Sequence, residues 1–236
     1  MKAERVILIT GAGRGIGAAM ARRLAAPGRL VAVNFKSDRA AAQAVARDVE
    51  SRGGQALLLP ADVTSPEAVD SLFAALAEKA CRLDVLVSNA GTPFRYARLA
   101  EVSPADFEAQ WRSQAAAAHL CCRRAIPMMA KQGRGRIVFT LSSAVQGRPP
   151  AFMSHYVSAK YALWGLAQAL AAEASSKGIQ VDCLFPPMTE TDFIKGFPRP
   201  IVDAAREASP AGRLGSAADV AEELARLLDA PAREAL

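Results

Sequence analysis

The stretch Thr10-Gly11-Ala12-Gly13-Arg14-Gly15-Ile16-Gly17 follows the apolar run Val6-Ile7-Leu8-Ile9 and opens a helical pattern. Glycine allows the tight turn and lets the backbone come close to a pyrophosphate, whose charge the N-terminus of a helix favours. The spacing Gly11-x-x-x-Gly15-x-Gly17 differs from the general Gly-x-Gly-x-x-Gly fingerprint. Its place between a strand and a helix is nevertheless that of a dinucleotide-binding turn.

Outward from this turn, strand-length apolar runs alternate with amphipathic segments of helical length. Strands are expected at Arg5–Ile9, Leu30–Asn34, Ala56–Leu59, Val85–Val87, Arg136–Thr140 and Gln180–Leu184. Helices are expected at Gly15–Ala26, Arg39–Arg52, Pro66–Lys79, Pro104–Lys131, Tyr156–Lys177 and Ala217–Leu228. This alternation predicts an α/β fold, a single Rossmann-type doubly wound parallel sheet with helices on both faces. No linker, repeat or low-complexity tract divides the chain, so one domain over residues 1–236 is expected.

Composition excludes several classes. Hydrophobic residues at 51% and charged residues at 22% give a globular chain rather than a disordered one. The first strand follows the N-terminus without a leader pattern, and the near-apolar stretch Tyr161 to Ala172 is too short to span a bilayer. A cytoplasmic protein with no membrane association is expected. Cys81, Cys121, Cys122 and Cys183 lack metal-ligand spacing, and His119 and His155 add too little for a site, so no metal is expected. The net charge of +6 is spread along the chain, without the aromatic-studded basic stripe of a nucleic-acid binder.

The second strand ends Asn34-Phe35-Lys36-Ser37, with no acid until Asp38 to hold the ribose hydroxyls of NAD. Lys36 and Arg14 can instead converge from two loops on a 2′-phosphate, which selects NADP(H). Farther along, Tyr156-Val157-Ser158-Ala159-Lys160 puts a phenol and an ammonium on one helix face. A nearby cation favours phenolate, which suits a general acid/base. Ser143, at the end of Thr140-Leu141-Ser142-Ser143, supplies a hydroxyl for a substrate carbonyl.

These motifs, with Asp62-Val63, Ser88-Asn89-Ala90-Gly91 and Pro186-Pro187-Met188-Thr189-Glu190-Thr191, resemble the short-chain dehydrogenase/reductase family over nearly the whole chain. The resemblance implies that Tyr156 exchanges a proton with the substrate oxygen and that Ser143 polarises the carbonyl. It implies that Lys160 binds the nicotinamide ribose and lowers the tyrosine pKa. Gly11, Arg14, Gly15, Ile16 and Gly17 would then form the phosphate turn, with Asp62 and Val63 at the adenine. Asn89, Ala90 and Gly91 would line the cofactor, and Pro186, Thr189 and Thr191 would meet the nicotinamide. The implied reaction is hydride transfer to a carbonyl carbon.

Three features depart from the family. Gln114 stands where an asparagine usually joins a water relay to the lysine, and its extra methylene puts that relay in question. Pro187 replaces a glycine and stiffens its loop. The usual closing strand after Ala217–Leu228 is not recognisable, which makes a homodimer the expected assembly rather than a tetramer. Within the family the resemblance is nearest to 3-oxoacyl-[acyl-carrier-protein] reductases, so the expected substrate is a small-molecule or carrier-bound carbonyl compound, with an acyl carrier protein as a candidate partner. A reductase of a small ketone, sugar or steroid-like carbonyl, or a non-catalytic NADP-binding scaffold, remains an alternative. Lys131, Arg134 and Lys177 either meet an acidic carrier at the mouth of the site or are ordinary solvated charges. Phe193, Ile194, Phe197, Pro198 and Ile201 either line a lid over the site or pack that lid on the domain.

Overall fold

The computed structural model describes residues 3–230. Its sheet consists of β1 (Arg5–Ile9), β2 (Arg29–Phe35), β3 (Gln55–Pro60), β4 (Val85–Ser88), β5 (Gly135–Thr140) and β6 (Ile179–Leu184). The strands lie in the order β3-β2-β1-β4-β5-β6, and every pairing is parallel. The order reverses between β1 and β4, which opens a crevice beyond their carboxyl ends.

Alternation along β1 divides the core. Val6 and Leu8 join the cluster that holds α3 (Pro66–Ala80), α5 (Ala117–Lys131) and α6 (Ser154–Ala174). Ile7 and Ile9 face the cluster of α1 (Gly15–Leu24), α2 (Arg39–Ser51) and α8 (Ala217–Asp229). Both faces of the strand are dry, as a parallel sheet covered on two sides requires. Helix starts follow their local chemistry. The Ser65 hydroxyl accepts from Ala68 N at 3.2 Å with Pro66 behind it, and Ser216 and Asp219 exchange bonds of 3.1 and 3.0 Å.

The segment expected as one helix from Pro104 to Lys131 is α4 (Pro104–Trp111), a π turn over Arg112–Ala116, and α5. The backbone stays right-handed throughout, so amphipathic periodicity alone gives no sign of the wider turn. The region expected as a lid loop contains a helix, α7 (Arg199–Glu207). The closing-strand expectation concerns residues beyond 230, which lie outside the described residues.

Candidate active site

A cleft of about 1000 Å³ lies beyond the carboxyl ends of the strands. At its cofactor end, Gly11 and Gly15 adopt φ of 63° and 57°, which side chains disfavour. The turn is held from behind. Gly11 N donates to Asn34 Oδ1 at 3.1 Å, while Asn34 Nδ2 donates to the carbonyls of Leu59 and Ala61, both at 3.1 Å. Thr10 Oγ1 accepts from Asn89 N at 2.9 Å and Ala90 N at 3.0 Å, and Asn89 Nδ2 donates to Thr10 O at 3.0 Å. A Cβ on Gly17 would stand 2.5 Å from Gly11 O and 2.6 Å from Asn89 Nδ2, so only glycine fits there. Sequence reading missed Asn34 and Thr10, because a buried asparagine in a strand gives no periodic signal.

The opening of α1 suits a diphosphate. Its N-cap, Arg14, makes no side-chain capping bond, no acid occupies the first turn, and Gly15 and Ile16 line the cleft. Arg14, Lys36, Asp62, Val63, Ala90 and Gly91 line it too. Lys36 is not free: its ammonium pairs with Asp62 at 2.7 Å. Partial burial raises the Asp62 pKa, but bonds from Lys36 and from Thr64 N and Oγ1 overcome this and hold it at about 2. On the opposite wall, Thr191 lies against Gly15, and Thr189 Oγ1 donates to Pro187 O at 2.8 Å.

At the substrate end, Tyr156 and Lys160 sit on the first turns of α6, 9% and 7% exposed. Lys160 Nζ donates to Thr140 O at 2.7 Å and lies 5.8 Å from the centre of the tyrosine ring. Burial pushes Lys160 down to about 7 and Tyr156 up to about 12. Desolvation, which favours the neutral form of both groups, sets both directions in the ligand-free protein. Ser142 and Ser143 both line the cleft at this end, and the Ser142 hydroxyl acts against the effect of burial on the Tyr156 pKa. Ser142 continues the extended backbone of β5, with φ −162° and ψ 147°, whereas Ser143 begins a 3₁₀ turn and gives its N–H to Pro186 O at 2.9 Å. The pair Ser142-Ser143 could be read from the sequence, but the different backbone exits of the two serines from β5 could not.

Gln114 lies in the π turn, 2% exposed and on the cleft wall. Its Nε2 donates to Gln110 Oε1 at 3.0 Å, and its own Oε1 has no partner. Two aromatic residues that sequence reading passed over complete this end. Phe94 stacks on Tyr156 with ring centres 4.5 Å apart, and Tyr96 meets Phe197 at 4.7 Å. From the lid, Phe193, Ile194, Phe197 and Ile201 reach the cleft, while Pro198 caps α7. Lys131, Arg134 and Lys177 do not reach the mouth. They precede β5 and β6 at the amino ends of the strands, where Arg134 lies 3.8 Å from Asp84, so the expectation that they greet a substrate is corrected. Among the described residues no cluster of metal-ligating side chains occurs, and no helix is long and apolar enough to cross a membrane.

Comparison with known proteins agrees with this geometry. Residues 5–199 match the short chain dehydrogenase family. The 3-oxoacyl-[acyl-carrier-protein] reductase of Synechocystis sp. is 33% identical, over 97% of this chain and 90% of its own. A short chain dehydrogenase from Burkholderia cenocepacia, solved with NADP, is 35% identical with TM-score 0.87, covering 96% and 91% of the two chains. A 7α-hydroxysteroid dehydrogenase, solved with NADH and 7-oxo glycochenodeoxycholic acid, is 29% identical with TM-score 0.86, covering 95% and 87%. With six parallel strands, a glycine turn at the crevice and a Tyr156–Lys160 pair beside Ser142, the chain belongs to the short-chain dehydrogenase family of oxidoreductases.

Proposed function

We propose that this protein is an NADP(H)-dependent reductase of ketones. The observation that carries the reading is the buried Tyr156, with Lys160 one helical turn on and Ser142 and Ser143 on the same wall, at one end of a cleft whose other end is an uncapped glycine turn. Arg14 and Lys36 stand at the adenosine side of that cleft and favour a 2′-phosphate. The turn residues Gly15, Ile16 and Gly17 hold the diphosphate, Asp62 and Val63 the adenine, and Asn89, Ala90, Gly91, Pro186, Thr189 and Thr191 the nicotinamide half. Bound NADPH supplies the hydride for the carbonyl carbon. Tyr156 donates its proton to the carbonyl oxygen, and Ser142 or Ser143, both on the cleft wall, orients that oxygen, with Ser142 favoured by its effect on the tyrosine. Lys160 holds the ribose and keeps positive charge near the phenolate that proton transfer leaves behind.

The substrate we infer is a 3-oxoacyl thioester, free or on an acyl carrier protein, in line with the name of the Synechocystis relative. A second reading, a compact ring-bearing ketone, is favoured by the walls of Phe94, Tyr96, Phe193 and Phe197. NADPH oxidation measured against an acetoacetyl thioester and against bicyclic and steroid ketones separates them. Turnover of the thioester alone supports the first reading, and turnover of ring ketones alone supports the second. Tight NADPH binding with no turnover of any ketone would leave a non-catalytic binding protein. Ser142→Ala should lose far more turnover than Ser143→Ala, and the reverse would return the role to Ser143. We read the assembly as a dimer formed through α4 and α6, where Phe107, Trp111 and Tyr161 are exposed. A stable tetramer in light scattering would overturn that.

A further inference from the structure

Gln110 takes no part in the chemistry above, yet it is 2% exposed and carries a side-chain amide into the interior at the end of α4. Its Nε2 donates to the carbonyl of Thr92 at 3.1 Å and approaches that of Pro93 at 3.4 Å. Carbonyls only accept, so the amide can stand only one way round, with its Oε1 turned to the π turn. There it accepts from Gln114 Nε2 at 3.0 Å. Gln114 is thereby oriented as well: its nitrogen is engaged, and the Oε1 left over, buried and unpartnered, is an acceptor on the cleft wall. The π turn packs directly on α6, and Lys160 and Thr140 line the same cleft. Nearby, Thr140 Oγ1 is also buried without a partner.

The other arm of Gln110 reaches the loop after β4. Thr92 and Pro93 immediately precede Phe94, whose ring lies on Tyr156. One buried amide thus ties the loop over the tyrosine to the free acceptor of Gln114 on the cleft wall. An asparagine at position 114 would be one methylene too short to keep both the bond to Gln110 and the same reach into the cleft. The departure at 114 and the glutamine one helical turn before it are in this sense a matched pair.

We propose that Gln110 is a positioning residue, which sets the Gln114 carbonyl as an acceptor for the hydrogen-bond network of Lys160 and anchors Phe94 over Tyr156. The proposal rests on the active-site reading above but is tested partly without turnover. In protein labelled with ¹³C-lysine and free of cofactor, NMR titration follows Lys160 directly. Gln110→Leu should move the Lys160 midpoint to lower pH, because the ammonium form loses an oriented acceptor. With a turned-over ketone, the same variant should lower kcat about tenfold or more, with little change in NADPH affinity. Gln114→Asn should act alike, and the double variant should be no worse than the poorer single one, since both break one network. Gln110→Met, of similar length, repeats the test should the leucine variant not fold. A Lys160 midpoint that stays in place while the melting temperature falls would show a purely structural role and overturn the proposal, as would additive losses. Absence of turnover in the wild type would refute the reductase reading instead and leave the NMR result to stand by itself.

Discussion

The two ends of the cleft are built on opposite principles. At the glycine turn the buried polar groups are already satisfied by protein: Thr10, Asn34 and Asn89 spend their side chains on backbone atoms of the turn and its neighbours. At the substrate end, buried polar atoms are left over: Gln114 Oε1, Thr140 Oγ1 and His155 Nδ1 have no partner, and Tyr156 and Lys160 sit where burial opposes their charged forms. Burying an unsatisfied polar atom costs about 1–3 kcal/mol. The cofactor end is therefore a rigid mould whose shape does not depend on a ligand, and the substrate end holds valences and proton affinities that ligands complete. Stability should be sensitive to change at the first and turnover at the second.

The sharpest test of that division is Tyr156→Phe. It removes only the transferable proton, so kcat should fall roughly 10³-fold while NADPH affinity and melting temperature stay near wild type. A fall in cofactor affinity as large as the fall in kcat would mean that the two ends are not separable.

Gly17→Ala should do the converse. The added Cβ meets Gly11 O and Asn89 Nδ2, both fixed by other bonds, and this clash outweighs the helix preference of alanine, worth about 1 kcal/mol. We expect a loss of about 1–3 kcal/mol in stability, with weakened binding of NADPH and NADH alike. Unchanged melting temperature and cofactor affinity would show that the mould is soft.

A smaller and more selective effect is expected from the joint replacement Arg14→Ala and Lys36→Ala. Loss of charge-assisted bonds to one phosphate should weaken NADPH by roughly 10- to 100-fold and NADH much less. Because Lys36 also pairs with Asp62, the double variant should leave that carboxylate nearer its ordinary pKa. Calorimetry showing equal losses for both cofactors would remove the NADP(H) assignment.

The remaining effect is read across pH. Lys160 titrates near 7 when folded, against 10.5 for its ordinary value. Between these values the unfolded chain binds a proton that the folded one does not, so this residue makes the ligand-free protein more stable as pH rises from about 7 toward 10. Lys160→Met should flatten that rise in urea melts, and an unchanged slope would show that the lysine is not desolvated.

Much of this could be read along the chain. Glycines between a strand and a helix, alternating apolar runs, Ser65-Pro66 ahead of α3 and the Tyr156–Lys160 spacing are local patterns, set by backbone freedom, capping and the 3.6-residue repeat. They determined the parallel sheet, the place of the cleft and the family. Tertiary structure alone decided that Ser142 leaves β5 extended while Ser143 turns, that Lys131, Arg134 and Lys177 lie at the far end of the strands, and that Phe94 covers Tyr156. It alone decided, too, that Gln114 answers to Gln110 across a π turn. Those outcomes depend on how separate segments converge and which way one backbone exits a strand. A side chain's direction in space is a sum over every element that packs behind it, and no local spacing contains that sum.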